Sequence, residues 1–350
     1  MLRAGIIGFG YMGHFHYDKM LQFPDRIHVA AVFDIEDAVL NEAEKKGMTA
    51  YRSLEEFLKE ELDLVIIATP NQWHASYAIA AMKAGKNVVL EKPAVMNVQE
   101  MEAVIACEKE TKKLLTVHHQ RRHDNDFQVV EKIINSGEIG NVTTIESRVM
   151  GERGVCFGWR ADPEYGGGML YDWGVHLIDQ ILQLFKGQTI HSVQARLMSI
   201  LTPAVDDYFE VTMEFDKGVC AKVMVTTFAL EKLPRWFVFG DRGTLKLEDF
   251  TGTEGSAKKI RQEIEGYESV LGKKNLGPSR TMAPLAPECI EKLELPVPED
   301  KTMEYWTNLL NALEQGRRAE VKSEEILRVM KVVDAAFRAS KIGKTVSGEI

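Results

Sequence analysis

At 350 residues, 45% hydrophobic and 27% charged, the chain has room for two domains and enough apolar surface for an unstapled core. A formal net charge of −9 argues against a sequence-independent hold on nucleic acid, which needs clustered Lys and Arg. The cysteines form no CxxC pair, the first strand begins at Leu2 without space for a signal peptide, and no apolar run approaches the ~20 residues of a membrane span, so no membrane contact and a cytoplasmic location are expected.

The first 120 residues alternate short apolar runs with helical stretches. Residues 2–7 read as a buried strand, followed by glycines and a helical stretch through Phe23. Residues 28–33 are a second strand and 37–46 a helix. Ser53 with Glu56 forms a capping box, in which serine and glutamate satisfy each other's free amides. Residues 64–68 and 87–90 are apolar runs too short for helices, as suits parallel strands covered on both faces. The helix between them, over 76–84, ends at Gly85. Asn97 and Glu100 open the next helix, and 114–117 is the last strand. This rhythm predicts an α/β fold with a doubly wound parallel sheet, a Rossmann domain over residues 1–120.

Past residue 120 the pattern changes. Residues 127–136 and 170–185 read as helices, and alternating runs at 142–149, 192–199, 208–215, 220–227, 236–240 and 244–248 read as strands. Residues 251–300, rich in Gly, Pro, Lys and Glu, read as a long surface excursion, before a closing helical pair at 303–314 and 323–340. Residues 121–350 are expected to form an α+β domain with an open, mostly antiparallel sheet.

Gly8-Phe9-Gly10-Tyr11-Met12-Gly13 sits between the first strand and the first helix. Glycines there permit a tight turn, close approach of a pyrophosphate, and close packing of helix on strand, while the helix N-terminus offers free amides to phosphate. Asp34 ends the second strand, where a carboxylate can accept hydrogen bonds from both ribose hydroxyls of NAD and repel the 2′-phosphate of NADP. NAD is therefore the expected cofactor, with NADP left open because dual-specificity enzymes also carry an acid here. Capping of the following helix is the alternative role for Asp34.

Two further blocks carry a family resemblance. Ala68-Thr69-Pro70-Asn71-Gln72-Trp73-His74 is followed by Ala84-Gly85-Lys86-Asn87-Val88-Val89-Leu90-Glu91-Lys92-Pro93, and later comes Gly166-Gly167-Gly168-Met169-Leu170-Tyr171-Asp172-Trp173-Gly174-Val175-His176-Leu177-Ile178-Asp179. Together they resemble the Gfo/Idh/MocA family, which includes glucose–fructose oxidoreductase and inositol dehydrogenase, over nearly the whole chain. The resemblance implies His176 as the base that takes the hydroxyl proton of a secondary alcohol while hydride leaves carbon for the nicotinamide. Asp172, four residues earlier and on the same helical face, is expected to orient substrate or stabilise an imidazolium on His176. Lys92 is expected to polarise the substrate oxygen. Pro93 biases it toward an extended strand end. The resemblance further implies that Thr69, Pro70, Asn71 and His74 line the path from adenosine to nicotinamide, that Glu91 supports the nicotinamide side, that Gln120 contacts cofactor, and that Arg121, Arg160 and Asp179 reach substrate. Each has a structural alternative: Arg121 and Arg122 could pair with carboxylates such as Asp124 and Asp126, the expected role for Arg122. Asp172 and His176 could also ligate a metal, but no third ligand follows at suitable spacing and hydride transfer needs none, so no metal is expected.

The expected function is hydride transfer on a sugar, polyol or inositol, with scyllo-inositol-type dehydrogenases nearest in the second block. The same residues would serve an NAD-dependent glycosidase that oxidises a sugar carbon transiently, whereas a non-catalytic NAD and sugar sensor would not require both Lys92 and His176. An open sheet with an apolar outer face calls for a cover, so a homodimer, or a homotetramer built of dimers, is expected through that face.

Overall fold

The computed structural model describes residues 1–154, 156–261 and 284–350. Strands β1 (Leu2–Ile7), β2 (Ile27–Phe33), β3 (Thr49–Tyr51), β4 (Leu64–Ile67), β5 (Asn87–Leu90) and β6 (Leu115–Val117) form one parallel sheet in the order β3-β2-β1-β4-β5-β6. The central strand β4, Leu-Val-Ile-Ile, is buried at every position because helices cover both faces, which explains its continuous apolar run. The edge strand β3 is absent from the sequence reading: Thr-Ala-Tyr is too short and too exposed to show a pattern. Helices α1 (Tyr11–Met20), α2 (Asp37–Lys45), α3 (Leu54–Lys59), α4 (His74–Lys83) and α5 (Val98–Thr111) connect these strands. Both helices start where expected: Asn97 Oδ1 accepts from the Glu100 amide at 2.9 Å and Ser53 Oγ from the Glu56 amide at 3.4 Å, but the Glu56 side chain does not bond back to the Ser53 amide, so that capping box is only half formed. Strand order reverses between β1 and β4, so a crevice opens at their carboxyl ends.

A second sheet of nine strands runs β14-β13-β12-β11-β7-β10-β9-β8-β15. Its members are β7 (Val142–Met150), β8 (Ile190–Met198), β9 (Tyr208–Phe215), β10 (Cys220–Thr226), β11 (Trp236–Gly240), β12 (Gly243–Leu247), β13 (Gly255–Ile260), β14 (Ile290–Leu293) and β15 (Val346–Ser347). Only β7 and β10 pair in parallel. The 251–300 segment is therefore not all surface excursion: β13 and β14 extend the sheet, and Glu291 and Lys292 on the outermost strand β14 put charge on an edge where it deters further pairing. Residues 262–283 of that segment lie outside the described residues. The inner face buries Phe209, Val211, Val223 and Trp236, whereas the outer face mixes Tyr208, Met224, Phe237 and Phe239 with Glu146, Arg148, Glu210 and Lys222.

Helices α6 (Asn125–Ser136), α7 (Val175–Leu184), α8 (Glu304–Gln315) and α9 (Ser323–Ile342) complete the chain. The closing pair ties the halves together. Helix α9 packs on β8 and also on α5 and β6, Thr116 Oγ1 donates to the Val321 carbonyl at 3.0 Å, and Arg26 holds Glu314 on α8. No helix among the described residues is long and apolar enough to cross a membrane.

Candidate functional site

The crevice at the carboxyl ends of β1 and β4 is a cavity of about 570 Å³. Gly8, Gly10, Tyr11, Met12, Asp34, Thr69, Pro70, Asn71, Glu91, Lys92, Trp159, Arg160 and Tyr165 are among its lining residues. The three glycines do different work. At Gly8 (φ +86°) an added Cβ would meet the Ala68 carbonyl at 2.9 Å, and at Gly13 it would meet the Gly8 carbonyl oxygen at 2.4 Å, so both allow close packing. At Gly10 it would meet nothing within 4 Å: that backbone faces open space at the start of α1, where no side chain caps the helix. A phosphate-bearing ligand fits this cradle, because the first amides of a helix attract anions. Phe9 contributes through its backbone, donating to Asp34 Oδ2 at 2.7 Å, while its side chain is wholly buried away from the cavity. Asp34 Oδ1 accepts from the Glu36 amide at 3.0 Å, so the loop after β2 holds that carboxylate at the cavity.

At the other end of the cavity, Lys92 leaves the end of β5 and its Nζ donates to Asp172 Oδ1 at 2.6 Å and to the Asp172 carbonyl at 2.8 Å. Arg160 Nε stands 3.6 Å from the same Oδ1. Burial pushes the Asp172 carboxyl up, but Lys92 and Arg160 more than reverse this and hold it below the usual range. Asp172 does not bond His176 as the helical spacing implied. Leu170–Gly174 is a π-helical turn rather than the start of α7, and its wider ring changes the angular relation of positions 172 and 176. The freed carboxylate turns to Lys92 instead. Asp206 Oδ2 accepts from the Leu170 amide at 2.8 Å at the start of that turn, and burial pushes Asp206 up to about 7. The sequence reading did not single out Asp206.

His176, one residue into α7, is buried, and its Nδ1 has no partner among the described residues. Burial first, then Lys92 and His119, push its pKa well below 6.5, so the ring is a neutral proton acceptor. The His119 ring stands edge-on to it with centroids 5.3 Å apart. Behind them, Asp179 is corrected from a substrate contact to a buried support. Arg122 Nη2 donates to Asp179 Oδ1 at 2.6 Å and Arg122 Nε to Oδ2 at 2.8 Å, leaving the carboxylate 1% exposed. One helical turn past His176 points it into the core rather than the cleft. Arg122 does pair with carboxylates, but with Asp179 and Glu325 rather than Asp124 or Asp126.

Gln120 and Arg121 line a second cavity of about 510 Å³ with Phe15, Lys19, Trp173 and Phe250, not the one holding the glycine loop. Arg121 stacks on Trp173 at 4.2 Å and pairs with Asp124 at 2.9 Å, the carboxylate partner weighed for it. His74 is corrected from a lining residue to a brace: it is wholly buried, its Nδ1 lies 2.8 Å from the Pro93 carbonyl and its Nε2 3.0 Å from the Thr69 carbonyl, and the neutral ring donates to one of them between the ends of β4 and β5. Sequence reasoning missed one grouping altogether. His16, Glu91 and His118 bring three potential ligand atoms within 4.8 Å of one another, from positions 75 and 27 residues apart, yet these atoms already hydrogen-bond one another.

The chain matches two family models: the NAD-binding Rossmann fold of an oxidoreductase family over residues 2–119, and the GFO/IDH/MocA C-terminal domain over residues 127–246. Among curated proteins it is similar to scyllo-inositol 2-dehydrogenase (NADP(+)) IolW of Bacillus subtilis, at 26% identity over 99% of this chain and 95% of the relative. Among solved structures it is similar to an NAD-binding protein from Listeria innocua, at 35% identity and a TM-score of 0.87 over 99% of this chain and 97% of that one. The WlbA dehydrogenase of Bordetella pertussis, solved with NADH and UDP-GlcNAcA, shares the fold at 20% identity and a TM-score of 0.79 over 100% of this chain and 99% of that one.

Proposed function

Because the chain belongs to the Gfo/Idh/MocA family of NAD-binding oxidoreductases, we propose that it moves hydride between a nicotinamide cofactor and a secondary alcohol or ketone of a sugar, polyol or inositol. The observation that carries this is the Lys92–Asp172 pair at one end of a cavity whose other end is the glycine loop, with neutral His176 close to Lys92. When bound, nicotinamide supplies the carbon that accepts or returns hydride. Gly10 and the first amides of α1 would hold its pyrophosphate and Asp34 a ribose, which favours NAD over NADP. The relative in Bacillus subtilis is named for NADP(+), so both cofactors belong in the test.

Lys92, fixed by two bonds to Asp172, donates a hydrogen bond to the substrate oxygen and steadies negative charge there. His176 accepts the proton as that oxygen becomes a carbonyl, and returns it in the reverse direction. Trp159, Arg160 and Tyr165 line the same cavity as Lys92. The partner is thus a small sugar-like molecule. Placement in the cytoplasm agrees with four unpaired cysteines, and a homodimer or homotetramer through the outer face of the nine-stranded sheet agrees with its half-exposed Tyr208, Met224 and Phe237.

Purified protein is to be incubated with NAD or NADP and a panel of inositols, aldoses, sugar acids and glycosides, following reduced cofactor and products. Reduced cofactor should accumulate with a polyol or sugar and fall ~10²–10⁴-fold in Lys92→Ala and His176→Ala. Glycoside cleavage without net reduction would replace the dehydrogenase with a hydrolase.

A further inference from the structure

Directly beneath Lys92 lies a buried group that the reaction above does not use. Glu91 Oε1 accepts from His16 Nε2 at 2.7 Å and from His118 Nδ1 at 2.8 Å, while Glu91 Oε2 accepts from the Lys92 backbone N–H at 3.1 Å. The three side chains come from α1, the end of β5 and the end of β6, and none is more than 4% exposed. Aromatic rings enclose them: His118 lies 4.7 Å from Tyr305, and His16 lies 5.1 Å from Trp306.

One oxygen accepting two N–H bonds fixes both tautomers, with hydrogen on Nε2 of His16 and on Nδ1 of His118. The opposite nitrogens, His16 Nδ1 and His118 Nε2, have no partner among the described residues. A second N–H on either ring would be buried without an acceptor, so the arrangement is satisfied only with both rings neutral. Burial pushes the Glu91 carboxyl up, and His118 first, then His16, more than reverse this and hold it well below the usual carboxylate range. The group therefore keeps one negative charge that no cation within the group cancels. Glu91 also lines the cavity that carries the glycine loop, at the Lys92 end.

We propose that Glu91, clamped by His16 and His118, is a fixed negative charge that makes this cavity prefer the oxidised, cationic nicotinamide over the reduced, neutral one. The inference rests on the hydride-transfer reading. His16 and His118 act through Glu91 and are positioning residues. Glu91 has a second effect, because its bond to the Lys92 amide sets the root of the lysine side chain.

The test is the ratio of dissociation constants for oxidised and reduced cofactor, by calorimetry for the first and by fluorescence for the second. In Glu91→Gln the oxidised form should weaken about tenfold or more relative to the reduced form, the size expected for one unit charge acting across several ångströms of protein interior. In Glu91→Asp, which keeps the charge, the ratio should stay near wild type even if both affinities fall. A purely structural Glu91 would weaken both forms by one common factor in either variant, and that result overturns the proposal. The wild-type protein supplies a second check: ¹⁵N NMR at neutral pH should show His16 protonated on Nε2 alone and His118 on Nδ1 alone, and an imidazolium at either position would cancel the charge and defeat the idea. If neither cofactor form binds the wild type, the hydride-transfer reading fails and takes this inference with it; binding with an unshifted ratio removes the inference alone.

Discussion

Breaking the ion pair behind His176 separates a structural Asp179 from a substrate-binding one. Arg122 meets Asp179 through two hydrogen bonds of 2.6 and 2.8 Å, with side-chain exposures of 5% and 2%, and reaches Glu325 at 2.8 Å. Burial raises the Asp179 carboxyl, but Arg122 and His119 hold it below the usual range. Arg122→Met would leave Asp179 buried without its counter-ion, a change that costs about 3–5 kcal/mol, a large share of the 5–15 kcal/mol typical of whole proteins. For a chain of 350 residues unfolding in one transition, that is a fall in Tm of about 5 °C. Replacing both partners by apolar residues of similar volume, Arg122→Met with Asp179→Leu, should recover much of the loss. Urea denaturation of the wild type, both single variants and the double variant closes the cycle. A loss below about 1 kcal/mol in Arg122→Met would refute the buried-pair argument. Normal stability in Asp179→Asn with a raised KM would return Asp179 to the substrate.

Three further outcomes follow from the glycine loop, the β2 carboxylate and the buried imidazoles. Gly13→Ala should destabilise the fold by about 1–3 kcal/mol, because its Cβ would lie 2.4 Å from the Gly8 carbonyl, whereas Gly10→Ala should leave Tm unchanged and weaken cofactor binding about tenfold; equal behaviour of the two by calorimetry would contradict the cradle. Asp34→Ser should shift the NADP-to-NAD affinity ratio upward by about tenfold or more, and an unchanged ratio would show that the carboxylate serves only the Phe9 and Glu36 amides. Burial depresses His16, His74, His119 and His176, with His119 reaching about 4, so below about pH 6.5 the unfolded chain takes up protons that the folded chain refuses. Stability should therefore decline as pH falls from 7.5 to 5, by up to ~1.4 kcal/mol per pH unit for each group; Asp206, raised to about 7, offsets one of the four, and a flat urea midpoint over this range would count against the assignment.

Legibility differed between elements for identifiable reasons. The core strands β1, β2, β4 and β5 and the caps at Ser53 and Asn97 could be read directly, because burial on both faces and the geometry of a free helix amide each demand particular residue types at short spacing. The strands β9 and β10 showed through their strict alternation of buried and half-buried positions. The edge strands β3 and β14 did not, since pairing on one side and exposure on the other leave little pattern, and neither did β13, which buries only one of its six residues. At the site, Lys92, Asp172 and His176 were legible as chemical types, but their partnerships were not. A spacing of four promised an Asp172–His176 contact, and one π-helical turn sent the carboxylate to a lysine 80 residues away.

The amino-acid sequence by itself determined the two-sheet plan, the glycine cradle and the family, because periodicity and tight turns are set by neighbours within a few residues. Tertiary structure alone decided which buried charges meet: Asp179 with Arg122, Glu91 with His16 and His118, His74 with the carbonyls of two strand ends. A buried polar group must find its partner wherever the folded chain supplies one, and that demand leaves no fixed spacing in the sequence to read.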